Sequence, residues 1–466
     1  MEDVFAFTGY RWDPATATAS FRYRLDIVRD ANGAAIAGPE EFTETVSFTV
    51  SGRPEGTALP DASPGSGFDR LLVLAGAVLG LSYLKAGAPV DYRIDPAGLS
   101  EPALAFLHAA LRDGMAEFAY RNGLPGPLQP RIELSAGLAP AREPQAFDAQ
   151  RALRPLVALG GGKDSVVSAE LLRRAGFQVR LVATNANGII DAVAARSGLP
   201  LLRMRRTIDP RLLELNAAGA RNGHVPVTAM NTLLSVAQAQ LAGLGPAVFS
   251  NESSAGEETL SWDGFPVNHQ WSKGPEAELL LAEAIAAQLG VAGASFSLLR
   301  AFTELRIARI YATLGEQGGA RYDDVIVSCN RAYRISGAAP SWCGECDKCR
   351  FVFLAFAPFM PRERLLRILG RDLFAAEENI PGYAALLGLD EAKPFECVGE
   401  IRESQVALSL ALRQPHWRDS PVAAAMLDRL PALAGAADAF GAEVLGRQAA
   451  PALPDPRYTE ARDAAA

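Results

Sequence analysis

Six consecutive residues, Gly160, Gly161, Gly162, Lys163, Asp164 and Ser165, carry the clearest chemistry in the sequence. They follow the apolar run Leu156, Val157, Ala158, Leu159 and open a helical pattern. Backbone N–H groups of three glycines can turn into one concavity without interference from Cβ atoms. The N-terminus of the helix adds positive potential for an anion. Lys163 supplies a point charge and Ser165 a hydroxyl. Asp164 supplies a carboxylate that can cap the helix or hold magnesium. The spacing is neither G-x-x-x-x-G-K-[S/T] nor G-x-G-x-x-G. A tight glycine turn between strand and helix is the bland alternative.

The five cysteines are Cys329, Cys343, Cys346, Cys349 and Cys397. Three of them form C-x-x-C-x-x-C, and Cys329 lies upstream. Four thiolates at such spacing suit tetrahedral zinc. In a reducing cytosol the cluster reads as a metal site rather than a disulfide framework. An iron–sulfur cluster and a redox dithiol are the alternatives. A ferredoxin-type run would need a fourth cysteine followed by proline, which the residues after Arg350 do not supply. A closed four-sulfur site is structural, which leaves Cys397 over.

Four further strings are dense in polar side chains. Arg221, Asn222, Gly223 and His224 precede a helical pattern; Ser250, Asn251 and Glu252 end an apolar run. Asn268, His269, Gln270, Ser272 and Lys273 follow, and Lys393, Glu396, Cys397 and Glu400 lie far downstream. Each string could equally be a solvated loop. Two of the four histidines, His224 and His269, fall in these strings; His108 reads as a packed core or partly exposed residue on an apolar helix, and His416 is uninformative.

These residues need elements to position them. Residues 1–145 read as an α+β domain. Its apolar faces are Phe21, Tyr23, Leu25, Ile27 and Phe42, Val46, Phe48, Val50, with Asn32–Gly33 as a hairpin signal between them. Helices are expected over 69–84 and 101–121, and a proline-rich linker follows. Residues 150–325 read as an α/β domain with strands at 156–159, 179–183, 199–204 and 247–250. Strands alternating with helices predict a doubly wound parallel sheet. Residues 326–372 hold the cysteine knuckle and a helix; 373–466 read as helical, with an Ala/Pro-rich tail expected to fray.

The 466 residues are 49% hydrophobic and 21% charged, enough for a full core. The net charge of −8 argues against nucleic acid and anionic membrane as partners. The N-terminus lacks a signal-peptide pattern, and the apolar run 71–84 is shorter than a span of about 30 Å needs. A soluble cytoplasmic protein is the expectation; oligomeric state is unreadable.

The string at 160–165 resembles the S-G-G-x-D-S loop of the PP-loop ATP pyrophosphatases, with Gly160 where that family has serine. The resemblance implies splitting of ATP to AMP and pyrophosphate. Eight strings in one order then resemble the MurL family of muramoyl-dipeptide epimerases: G-G-G-K-D-S, N-G-H-V-P-V-T-A, F-S-N-E, V-N-H-Q-W-S-K-G, S-C-N-R, W-C-G-x-C-x-K-C, F-x-A-P-F-M-P and K-P-F-E-C-V-G-E. They run from about residue 155 to 405, with weaker likeness around Lys85 and Glu117. The resemblance implies conversion of the terminal L-glutamate of UDP-N-acetylmuramoyl-L-alanyl-L-glutamate to D-glutamate, with ATP and magnesium, for peptidoglycan synthesis. The cysteine cluster is similar to the late cysteine knuckle of PP-loop enzymes that make 7-cyano-7-deazaguanine, which supports a structural zinc. The competing expectation is a PP-loop amide ligase, nitrile synthase or thiolase acting on a nucleobase or tRNA.

An α-proton beside a free carboxylate is hard to remove, because the carbanion would sit next to a negative charge. Adenylating the carboxylate removes that charge and makes the carbonyl an electron sink. The expected ATP residues are therefore Gly160, Gly161, Gly162, Lys163, Asp164 and Ser165. Cys397, His224, His269 and Glu252 compete for the base. Lys273, Arg221 and Arg331 compete to bind the substrate's γ-carboxylate. Cys329, Cys343, Cys346 and Cys349 are the expected metal ligands.

Overall fold

The computed structural model describes residues 3–50, 52, 58–317, 321–333, 341–389 and 394–464. Lys393 lies outside them. The chain begins with β1 (Val4–Asp13), β2 (Thr18–Leu25), β3 (Val28–Arg29), β4 (Ala35–Ala37) and β5 (Glu40–Ser47). Then come β6 (Asp91–Ile94), β7 (Arg131–Leu134), β8 (Leu156–Ala158), β9 (Arg180–Thr184) and β10 (Leu201–Thr207). The last strands are β11 (Ala247–Phe249), β12 (Leu260–Trp262), β13 (Phe265–Val267) and β14 (Ser295–Ser297). The fold is mixed α/β.

Ten strands form one sheet in the order β14-β11-β8-β9-β10-β5-β2-β1-β6-β7. From β14 to β10 every pair is parallel. The parallel half meets the N-terminal strands through an antiparallel pairing of β10 with β5, Arg206 opposite Val46. The sheet therefore runs without a break across residues 145–150. The reason lies in the side chains. Leu156 and Val182 face one layer while Val157 and Leu181 face the other, so both faces are buried. The layer holding Leu156 also contains Phe5, Phe21, Leu72, Leu233 and Ile285, a single core built from both halves of the sheet.

Several local expectations change. Asn32–Gly33 turns the short β3–β4 ribbon, while the main pairing is β2 with β5. Val28 is buried in place of Ile27, and Val50 is 40% exposed. The stretch Gly67–Leu84 is long and apolar enough to cross a membrane by length and composition. It packs instead as a core helix whose residues 71–79 are all buried. His108 and His416 are exposed. The C-terminal tail does not fray: helix Pro456–Asp463 folds back, Tyr458 stacking on Phe177 at 4.6 Å and donating to the Ala152 carbonyl at 2.5 Å.

Candidate active site

In the parallel half, the chain runs from β8 outward through β9 to β10, then returns to the other side of β8 for β11 and β14. The strand order reverses between β8 and β11, and open α/β sheets bind ligands at the carboxyl ends of strands at such a point. A cavity of about 420 Å³ lies there, lined by the ends of β8, β9 and β11. Gly160, Gly162, Asp164, Ser165, Glu252, Lys273 and Cys397 all reach it, so residues far apart in sequence share one chamber.

Gly161 has φ +84°, which favours glycine, and its carbonyl accepts from Val327 N at 3.0 Å. A Cβ on Gly162 would stand 2.3 Å from Ser328 Oγ, whereas one on Gly160 would meet nothing within 4 Å. The loop thus leaves room for the hydroxyl that PP-loop sequences carry at the Gly160 position. Helix Lys163–Arg174 starts at once, and Ser165 Oγ donates to Gly162 O at 3.1 Å.

Two lysines, Lys273 and Lys348, and three carboxylates, Asp164, Glu252 and Glu304, line the cavity, with Lys163 against two of the carboxylates. Lys163 Nζ contacts Asp164 Oδ1 at 2.5 Å and also pairs with Glu304. Glu304 reaches on to Lys348 at 3.0 Å. Burial opposes the Glu304 charge, but Lys163 and Lys348 outweigh it and hold its pKa below the ordinary value. Among the described residues no lysine or arginine pairs with the buried Glu252 carboxylate; burial and the Glu304 charge push it up to about 7. Arg300, 3% exposed, donates to the carbonyls of Glu252 and Lys273 and to Glu278, fixing both segments.

Around Cys397 a second arrangement appears. His269 lies near enough to the Cys397 thiol for each to shift the other's charge, and its Nδ1 lies 2.5 Å from Glu117 Oε2. Burial opposes charge on His269, yet Cys397 and Glu117 raise it to about 9. Burial pushes the Cys397 thiol up, but Lys273, His269 and Lys348 outweigh it and bring it to about 6. The favoured state at neutral pH is a thiolate beside an imidazolium oriented by a carboxylate. His224 is tilted against His269 at 4.8 Å between ring centroids; burial and the His269 charge lower it to about 4, so it stays neutral. Glu117, His224 and His269 also lie close enough to be considered as metal ligands. Two ligands at about 2.1 Å from one ion would stand about 3 Å or more apart, and the 2.5 Å contact is a direct hydrogen bond instead.

The cysteine cluster forms as the spacing predicts. Its sulfurs lie 3.9 Å (Cys329–Cys346), 3.8 Å (Cys343–Cys349) and 3.5 Å (Cys346–Cys349) apart. Sulfurs held at about 2.3 Å around a tetrahedral zinc stand about 3.8 Å apart, so the set fits that ion. Backbone N–H groups of Glu345 and Cys346 point at Cys343 Sγ, each at 3.4 Å. The following helix, Asp347–Phe356, carries Lys348 into the cavity, and Lys348 N donates to Glu396 at 2.7 Å. The metal-type cluster thereby braces both a cavity cation and the Cys397 segment.

Of the three cations expected for the γ-carboxylate, only Lys273 reaches the cavity. Arg221 donates to the Gly87 carbonyl at 3.2 Å, and Arg331 pairs with Glu345 on the surface. Glu117, Glu304, Lys348 and Arg300 were missed as site residues. The available signal was charge at positions that local pattern marks as core: Glu117 sits between Ala116 and Phe118, both fully buried.

The comparisons with known proteins agree with this architecture. The family model described as "MurL N-terminal domain" matches residues 1–298, and "MurL C-terminal domain" matches 325–440. Three relatives bear the name UDP-N-acetyl-alpha-D-muramoyl-L-alanyl-L-glutamate epimerase. The chain is 49% identical to the one from Micromonospora sp. over 94% of its own length and 93% of the relative. It is 47% identical to the one from Salinispora tropica, covering 92% and 89%. It is 39% identical to the one from Xanthomonas oryzae pv. oryzae, covering 90% and 88%. This chain belongs to the MurL family.

Proposed function

We propose that the chain epimerises the terminal L-glutamate of UDP-N-acetylmuramoyl-L-alanyl-L-glutamate in the cytoplasm, by adenylating the α-carboxylate with ATP. The observation that carries this reading is that Cys397 lines the same cavity as the glycine loop. The loop and strand order resemble a PP-loop nucleotide site, and Leu159, Val182 and Ile190 in the cavity wall would offer apolar surface to an adenine. Asp164 and Ser165 offer hard oxygen donors that suit the magnesium accompanying ATP. That ion would offset the phosphate charge. Lys163 can turn from Glu304 to a phosphate oxygen.

The residues then divide the work. The α-carboxylate oxygen attacks the α-phosphorus, and pyrophosphate leaves. Cys397 thiolate takes the α-proton while the acyl carbonyl accepts the electron pair. Glu252, a carboxylic acid held near pKa 7, returns a proton to the other face. Water opens the mixed anhydride and AMP leaves, which makes the conversion effectively one-way. Lys273 binds the γ-carboxylate, and Glu117 holds His269 in the orientation that keeps Cys397 ionised.

Incubation with the dipeptide nucleotide, ATP and magnesium tests the reading. D-glutamate on a chiral column, matched one to one by AMP, is the expected result. AMP without inversion would move the chain to another acyl acceptor, and neither product would retire the reaction.

The pH profile follows from the pair. The active form needs Cys397 deprotonated and both Glu252 and His269 protonated, so the rate rises through about pH 6, falls first through about pH 7 as Glu252 ionises, and meets its alkaline limb through about pH 9 as His269 loses its proton. In Glu117→Gln the neutral amide no longer favours the imidazolium, so the alkaline limb moves to lower pH. We expect kcat to fall by about 10²-fold with the KM for ATP unchanged. An unmoved alkaline limb would show that Glu117 only packs.

A further inference from the structure

Each of the three segments that supply the Cys397–His269–Glu117 relay also supplies an aromatic ring just outside it. Tyr120 lies one turn beyond Glu117 on helix Ala116–Arg121, and positions three apart share a helix face. Trp262 is on the β12–β13 hairpin that leads directly to His269. Phe395 is two residues before Cys397. The rings meet: Tyr120 lies 5.8 Å from Trp262, edge to face, and 6.3 Å from Phe395, stacked. Arg121 sits over Phe395 at 4.5 Å, with half of its side chain exposed. Tyr120 itself is 40% exposed. A partly exposed aromatic platform beside a half-buried thiol is more than the core requires.

We propose that Tyr120, Trp262 and Phe395 form the subsite for the N-acetylmuramoyl ring of the substrate, with Arg121 facing the anomeric diphosphate. The assignment rests on the epimerase reading above. Reach selects the sugar over the uracil. With the glutamate α-carbon at Cys397, the alanine and the lactyl carbonyl extend about 7 Å. The rings are carried on the same segments as the catalytic groups, Phe395 two residues before Cys397 and Tyr120 three helical residues, about 4.5 Å of rise, beyond Glu117, so the sugar next to the dipeptide meets them before the uracil does. The uracil lies a diphosphate and a ribose further out. The apolar face of a pyranose suits an aromatic ring, and a guanidinium suits a diphosphate.

The test compares the UDP-linked dipeptide with sugar-free N-acetyl-L-alanyl-L-glutamate. For Tyr120→Ala and Trp262→Ala we expect KM for the UDP-linked substrate to rise about fivefold, with kcat within about twofold, as loss of one aromatic contact implies. Tyr120→Phe should keep the wild-type KM, and KM for the sugar-free peptide should not change. A fall in kcat shared by both substrates would show that the rings merely staple the three segments, and an unchanged KM would also overturn the subsite. The wild-type assay separates the two ideas. No D-glutamate from either substrate retires the reaction and the subsite with it, whereas an active enzyme indifferent to Tyr120 and Trp262 retires the subsite alone.

Discussion

Cys397→Ala is expected to stop inversion while AMP continues to form. The ionised form of the thiol is favoured at neutral pH by three nearby cations, Lys273, His269 and Lys348. General-base catalysis contributes about 10²–10⁴-fold, so D-glutamate formation should fall by at least about 10³-fold. Adenylation depends on the glycine loop and Lys163, which do not touch the thiol, and substrate hydrolysed from its adenylate should keep the L configuration. In deuterated water the wild-type product gains deuterium at the α-carbon, and the variant product should not. Cys397→Ser should behave like alanine, because a hydroxyl is far too weak an acid to replace the thiolate. Deuterium in the variant product would move the base to His224 or Glu252. Loss of AMP in parallel with inversion would mean that Cys397 supports the nucleotide site instead.

The second large effect concerns Cys346→Ser. Structural zinc sites contribute about 10–16 kcal/mol of apparent binding, comparable to the whole stability of about 5–15 kcal/mol of a domain. Cys346 is 7% exposed and caps helix Asp347–Phe356, whose Phe351, Val352, Phe353 and Leu354 lie in the core. We expect wild-type protein to contain one zinc per chain by atomic emission. The variant should lose the metal, unfold at markedly lower temperature and form no AMP, because Lys348 and the Glu396 contact lose their support. Bound iron with visible absorbance would replace zinc by an iron–sulfur cluster. A metal-free variant with wild-type melting would show that the four thiols need no ion.

What the sequence by itself determined was local. Residues 160–162 turn and Lys163 opens a helix because glycine positions, a strand before and a helical pattern after are all properties of neighbouring residues. The cysteine cluster was legible for the same reason, since a C-x-x-C turn places two sulfurs together whatever surrounds it. The parallel strands announced themselves as short apolar runs, and the ordered strings pointed to the family. The tertiary structure decided the rest. Alternation along β5 and β10 reports that each has a buried face but not that they pair, so the continuity of the sheet across residue 150 was invisible. Glu117, His269 and Cys397 are separated by more than a hundred residues at each step, and only packing joins them. Packing also chose Lys273 over Arg221 and Arg331 and folded the C-terminal helix onto Phe177. Periodicity and spacing encode which face a residue presents; the partner met by that face is set by how all the layers bury their apolar surface together.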